Sequence, residues 1–166
     1  MNEKPFNTGD PLAYFITWTT YGTWLPGDGR GWSQKSNPGS LPANDLFVEV
    51  AQSRMKEPEF ILAAEHRLIV ENTIRKHCEI RRWKLHAVNP RTNHVHVVVT
   101  APNYEPEVVR DQFKAWCTRK LKEAGLNRTD FWTERGSCRW INHESDLEAA
   151  IAYVMDALDR KWRDHI

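Results

Sequence analysis

The chain has 166 residues, of which 40% are hydrophobic and 27% charged, a balance that suits a single globular domain over 1–166 and excludes a second large one. No apolar run approaches the roughly 20 residues of a membrane-spanning helix. The polar opening segment, Met1 to Leu12, lacks the apolar core of a secretory signal, so a cytoplasmic protein is expected. Net charge is +1, from 23 Lys and Arg against 22 Asp and Glu, which excludes a bulk basic attraction to nucleic acid.

The charge is unevenly spread. Residues 1–50 carry 3 basic and 5 acidic side chains, residues 51–100 carry 9 and 5, and residues 101–166 carry 11 and 12. The middle is therefore the basic part, and Arg75, Lys76, Arg81, Arg82 and Lys84 cluster there. A second group, Arg110, Lys114, Arg119, Lys120 and Lys122, recurs along one later segment. Phosphate contacts need such local groups more than net charge, although solvated helix faces have the same composition. Three cysteines, Cys78, Cys117 and Cys138, have neither metal-ligand spacing nor an even count, and read as reduced, buried residues.

In chain order, Ala13 to Thr20 is rich in aromatic and β-branched residues and reads as a first strand. Gly22 to Asn44 follows, with too many Gly and Pro for regular structure and too many tryptophans for a plain linker, so an irregular functional loop is expected. Helical spacing runs from about Pro58 to Glu79 through Ile61, Ala64, Leu68, Val70, Ile74 and Cys78. Arg82 to Val88 and His94 to Thr100 read as a hairpin turning at Asn89 to Asn93. A helix from about Glu105 to Ala124 carries a stripe of Val109, Phe113, Trp116, Cys117 and Leu121, with Gly125 placed to end it. A short strand at Cys138 to Ile141 precedes a final helix from Glu144 to about Arg163. The order β-α-β-β-α-β-α predicts an α+β fold: a ferredoxin-like, antiparallel, RRM-like sheet with helices on one face and an added C-terminal helix.

The sharpest chemical feature is His94-Val95-His96 inside a strand. Side chains alternate along a strand, so the two imidazoles share one face while Val95, Val97 and Val99 fill the other. A same-face imidazole pair supplies half of a divalent-metal site; it is also compatible with a polar strand face. The second feature is the last helix. Leu147, Ile151, Val154, Met155, Leu158 and Trp162 form one stripe, and at 100° per residue Tyr153 falls about 240° from Leu147, off that stripe. Trp24, Trp32, Arg135 and Arg139, together with Lys114, are candidates for stacking on single-stranded bases or contacting phosphates. His86 is the one further histidine near the pair in the hairpin.

The strand Asn93-His94-Val95-His96-Val97-Val98-Val99, followed 57 residues after His96 by Ala152-Tyr153-Val154 on a late helix, resembles the HUH single-tyrosine transposases. Tyr21-Gly22-Thr23-Trp24-Leu25-Pro26-Gly27-Asp28 and Trp132-Thr133-Glu134-Arg135-Gly136-Ser137 are similar to segments of its REP-associated and related bacterial branch. The likeness covers Tyr14 to Tyr153 in matching element order. It implies a metal-dependent endonuclease and strand transferase acting on single-stranded DNA, with a hairpin nearby. It implies His94 and His96 as ligands of Mg²⁺ or Mn²⁺, and Tyr153 as the nucleophile that forms a 5′-phosphotyrosine. Relatives carry a third, polar ligand, Gln or Asn, about one turn after the tyrosine. Here Ala157 and Leu158 stand there, and Asp156 is the nearest oxygen donor. That departure keeps a second expectation open, a domesticated DNA-binding protein that does not cut. A metal-dependent hydrolase of small phosphate esters, using the histidines without Tyr153, is a third. Homodimeric and monomeric relatives both exist, so either assembly is compatible with the resemblance.

Overall fold

β1 (Ala13–Thr19) opens the sheet, as its aromatic and β-branched composition predicts. The computed structural model describes residues 11–23, 32–34 and 37–156, the side chains of 32–40 excepted. Within the stretch expected to be irregular, Trp32–Gln34 (β2) and Asn37–Leu41 (β3) pair as a small antiparallel ribbon. A helix that periodicity reading missed, α1 (Asp45–Ser53), follows, and the Asn44 side chain caps it by accepting from the Phe47 amide at 3.2 Å. The main helices are α2 (Ala64–Arg81), α3 (Pro106–Glu123) and α4 (Glu144–Met155). The other strands are β4 (Lys84–Pro90), β5 (His94–Thr100) and β6 (Ser137–Ile141).

The four long strands form one sheet in the order β4-β5-β1-β6, every neighbouring pair antiparallel. This is the expected ferredoxin-like α+β arrangement. α2 and α3 cover one face, where Ile16, Trp18, Val88, Val95, Val97 and Val99 meet Val70, Ile74, Phe113 and Leu121. Trp18 is fully buried, stacked on Phe113 at 6.2 Å and edge-on to Trp132 at 6.1 Å. α4 covers part of the opposite face, burying Leu147, Ala150 and Val154 against Ala13, Ala87, Val98 and Ile141.

Four boundaries differ from expectation, each for a local reason. α2 begins at Ala64 rather than near Pro58 because 60–62 is a buried extended strap, in which the Phe60 amide donates to Tyr21 O at 2.8 Å and the Leu62 amide to Thr92 O at 2.7 Å. Those amides are thereby withdrawn from helix formation. β4 begins at Lys84 because Arg82 adopts a left-handed conformation (φ 59°, ψ 35°) to close α2. It runs on through Asn89 and Pro90, so the turn shrinks to 91–93. α4 ends at Met155, where Asp156 turns extended (φ −62°, ψ 118°); the rest of the helix expected to reach Arg163 lies outside the described residues. Trp116 and Met155, expected on apolar stripes, are 40% and 46% exposed.

All three cysteines are unpaired thiols. Cys78 and Cys117 are buried and Cys138 half-buried, and burial pushes the Cys78 thiol up to about 12 and the other two upward as well. These are inert packing groups, as expected.

Two glycines test the backbone. A Cβ on Gly136 (φ +149°) would lie 2.5 Å from the Thr17 carbonyl oxygen and 3.1 Å from Trp18 Cβ, whereas one on Gly125 (φ +102°) meets nothing within 4 Å. Gly125→Ala is expected to cost about 1–2 kcal/mol, the conformational penalty alone, and Gly136→Ala about 3 kcal/mol or more, because β1 must also move. Urea midpoints measured at constant slope check the difference; equal costs would contradict this packing.

Candidate active site

β5 divides its side chains between core and site. Val95, Val97 and Val99 are fully buried toward α2 and α3, so His94 and His96 project to the other face. Their rings stand edge to face with centroids 4.5 Å apart, each residue 5% exposed. Neighbours across the strands orient them. In the register Thr17 lies opposite His96, and its hydroxyl meets His96 Nδ1 at 2.7 Å. His94 Nδ1 lies 2.7 Å from the Asn93 side-chain oxygen. That oxygen only accepts, so Nδ1 of His94 is the donor, and the neutral ring then presents its lone pair at Nε2. Imidazoles held through one nitrogen and coordinating through the other are the usual metal-site arrangement, so the pair fits two positions of a divalent cation. Neither Asn93 nor Thr17 stood out in the sequence: Asn93 reads as a turn residue, and Thr17 gains its role only from the pairing of β1 with β5.

α4 brings Tyr153 to this pair. The ring centroid of Tyr153 is 5.7 Å from that of His96 and 5.9 Å from that of Phe15, and Phe15 is itself 5.7 Å from His96. Tyr153 is 50% exposed, so its phenol sits at the rim of the histidine pair and open to solvent. Both partners belong to one chain. Asp156, the expected third ligand, caps the C-terminus of α4. Among the described residues no group of three or more His, Cys, Asp or Glu side chains gathers at metal-binding distance. His86 sits at a bulge in β4, where its Nε2 meets Thr100 Oγ1 at 2.7 Å, at the opposite end of β5 from His94.

α4 packs on β4, β5 and the end of β6 and touches Phe15 of β1; among the described residues no other helix or strand packs on that face of β1 and β6. Directly paired residues share a face, so Phe15, Thr17 and Thr19 of β1 lie beside Ser137 and Arg139 of β6 on the histidine side. Arg139 is exposed there. Arg135 is exposed in the preceding loop with φ 73°. Lys114 behaves differently from expectation: its ammonium donates to the carbonyl oxygens of Thr133, at 2.9 Å, and Arg135. It ties the 133–136 loop to α3 instead of facing solvent. Thr133 in turn reaches Thr19, with hydroxyls 2.6 Å apart and its amide donating to Thr19 O at 3.0 Å. Trp24 and the side chain of Trp32 lie outside the described residues.

With this geometry in hand, comparison with known proteins gives consistent results. The family model for IS200-like transposases matches residues 52–157, a span that includes both histidines and Tyr153. No curated protein matches the chain. Among solved structures, a REP-associated tyrosine transposase bound to a REP hairpin aligns with a TM-score of 0.51 at 14% identity, over 86% of this chain and 63% of its own. The present chain thus spans less than two thirds of that protein. A candidate transposase from Deinococcus radiodurans R1 aligns with a TM-score of 0.48 at 14% identity, over 89% and 92% of the respective chains. At this identity the likeness to the first structure concerns the fold.

The loop anchor carries a pH signature. Burial, with Arg110 close by, pulls the Lys114 amine down to about 8 from its ordinary 10.5. Between these values the unfolded chain binds the proton that the folded chain has lost, so this group makes stability rise with pH across that window, and its charged form is disfavoured in the fold below it. Lys114→Met is expected to remove that rise. Thermal melts at steps from pH 7.5 to 10.5 check it: an unchanged slope in the variant would show that Lys114 titrates normally.

Proposed function

The chain belongs to the IS200-like transposase family, and from that premise we propose that it is a metal-dependent endonuclease and strand transferase for single-stranded DNA. The observation that carries this reading is the approach of the Tyr153 ring to the His94–His96 pair within one chain. A phenol, a paired imidazole site and an open strip of sheet ending in Arg139 are the parts a phosphoryl transfer needs: nucleophile, charge stabilisation and a backbone track.

His94 and His96 would hold Mg²⁺ or Mn²⁺, which when bound polarises a non-bridging oxygen of the scissile phosphate. Imidazole ligands favour Mn²⁺ over the harder Mg²⁺. Tyr153 Oη attacks phosphorus, an Oη–P bond forms and the bond from phosphorus to the 3′ oxygen breaks. The phenol proton is lost to solvent and the departing oxygen leaves as a 3′-hydroxyl. Reversal by a different 3′-hydroxyl rejoins strands and frees Tyr153, so bond energy is conserved in the 5′-phosphotyrosine. Thr17 and Asn93 keep the imidazoles in their ligating orientation. Phe15 backs the phenol ring, and Arg139 beside it meets the DNA backbone. The solved relative bound to a REP hairpin supports a hairpin-bearing substrate here. On this reading Tyr153 acts in cis, and a single protomer would supply both halves of the site.

A second reading, hairpin binding without cleavage, is favoured by one observation: Ala157 and Leu158 stand where the resembled family carries a polar third ligand. One assay separates the two. Incubated with Mn²⁺ and a single-stranded hairpin oligonucleotide from DNA flanking its gene, the protein is expected to form a covalent adduct on a denaturing gel. Tyr153→Phe is expected to abolish the adduct while leaving hairpin affinity unchanged. His94→Ala and His96→Ala are each expected to slow it by more than about 100-fold. Tight binding with no adduct in either Mg²⁺ or Mn²⁺ would establish the second reading instead.

A further inference from the structure

Asn89 has no part in the chemistry described above, yet it joins the two halves of the site. It stands on β4 directly beside His96 in the strand register and is 3% exposed. Its amide nitrogen donates to the main-chain carbonyl of Val154 at 2.7 Å, in a buried hydrogen bond. Val154 is the residue after Tyr153. Its carbonyl belongs to the last turn of α4, where a helix leaves its acceptors without intrahelical partners, and Asp156 turns extended immediately afterwards. The Asn89 amide takes the carbonyl that a continuing helix would pair with the amide of residue 158. It thereby helps decide where α4 stops.

In that last turn Tyr153 is 50% and Met155 46% exposed, and Val154 is buried, at 1%. The Tyr153 ring rests on Phe15 and His96, while the Val154 side chain and the Asn89 hydrogen bond hold the backbone of the turn to the sheet. An ordinary buried amide would need only some partner. This one is placed on the backbone next to the phenol, from the strand position next to an imidazole.

From this geometry we infer that Asn89 is a positioning residue: its hydrogen bond to Val154 sets how far the Tyr153 hydroxyl stands from a phosphate held at His94 and His96. The inference rests on the reading of the site given under Proposed function. It concerns orientation, so loss of the donor slows attack without weakening DNA binding, and a misplacement on the order of 1 Å costs about 100-fold in rate.

The test uses the full chain and three variants. Asn89→Asp keeps the shape but sets an oxygen against the Val154 carbonyl, Asn89→Ala removes the group, and Asn89→Gln keeps an amide donor one methylene further out. Two measurements are made: the single-turnover rate of adduct formation at saturating hairpin oligonucleotide and Mn²⁺, and amide hydrogen exchange over residues 150–156 and over β5. Asn89→Asp and Asn89→Ala are expected to lose about 100-fold in rate, with hairpin Kd unchanged and faster exchange confined to 150–156. Asn89→Gln is expected to recover most of the rate and protection. Wild-type rate in Asn89→Asp, unchanged exchange over 150–156, or Asn89→Gln as slow as Asn89→Asp would each overturn the inference. If Asn89→Ala does not fold, the Asp and Gln pair decides. If the wild-type chain forms no adduct, the proposed reaction fails on its own account, while exchange over 150–156 still reports whether Asn89 holds the turn: protection lost in Asn89→Asp supports the clamp, and protection kept overturns it.

Discussion

Everything in this molecule hangs on the two-residue alternation of β5. One seven-residue strand, His94–Thr100, lies near the middle of the sheet between β4 and β1. It delivers three fully buried valines to the core beneath α2 and α3 and two imidazoles to the opposite face. A slip of one residue in its pairing would turn the imidazoles into the apolar core and the valines to the histidine face. The core thus enforces the register on which the site depends, and the histidines gain their rigidity from apolar burial on the other side of the same backbone.

The face that carries the histidines is only partly covered. α4 buries Leu147, Ala150 and Val154, a small apolar contact that anchors the helix while leaving Tyr153 half exposed. A polar row runs across that face: Ser137, Thr17, His96 and Asn89 occupy neighbouring strands at matching positions. A fully apolar face would have demanded a larger helical cover and closed the site.

The loop ahead of β6 is held from two sides, by Lys114 reaching from α3 and by Thr133 bonded to Thr19 of β1. Gly136 lets the chain pass within contact of the Thr17 carbonyl before β6 begins. These contacts set the course of the chain into β6, whose Arg139 lies on the histidine side of the sheet. The lysine that composition alone assigns to DNA instead donates to two carbonyls of the loop ahead of β6 and holds that loop to α3.

Much of this was legible in the residue order. Alternation in His94–Thr100 gives the strand and its two faces, and the stripe of Val109, Phe113, Cys117 and Leu121 gives α3, because both patterns are local and repeat within one element. The off-stripe position of Tyr153 was equally local. What residue order left out is long-range. Thr17 and His96 are 79 residues apart and Asn89 and Val154 are 65 apart, and no periodicity marks either pair. The strap at 60–62 has amides satisfied by distant carbonyls, so its apolar spacing mimics a helix that the backbone does not form. The extended turn at Asp156 has the same kind of origin, since a side chain from β4 takes a carbonyl that the local pattern assigns to the helix. The sequence by itself determined which side chains share a face. Only the tertiary structure decided which faces meet, because pairing between distant strands and helices depends on hydrogen bonds and packing that no short window of residues contains.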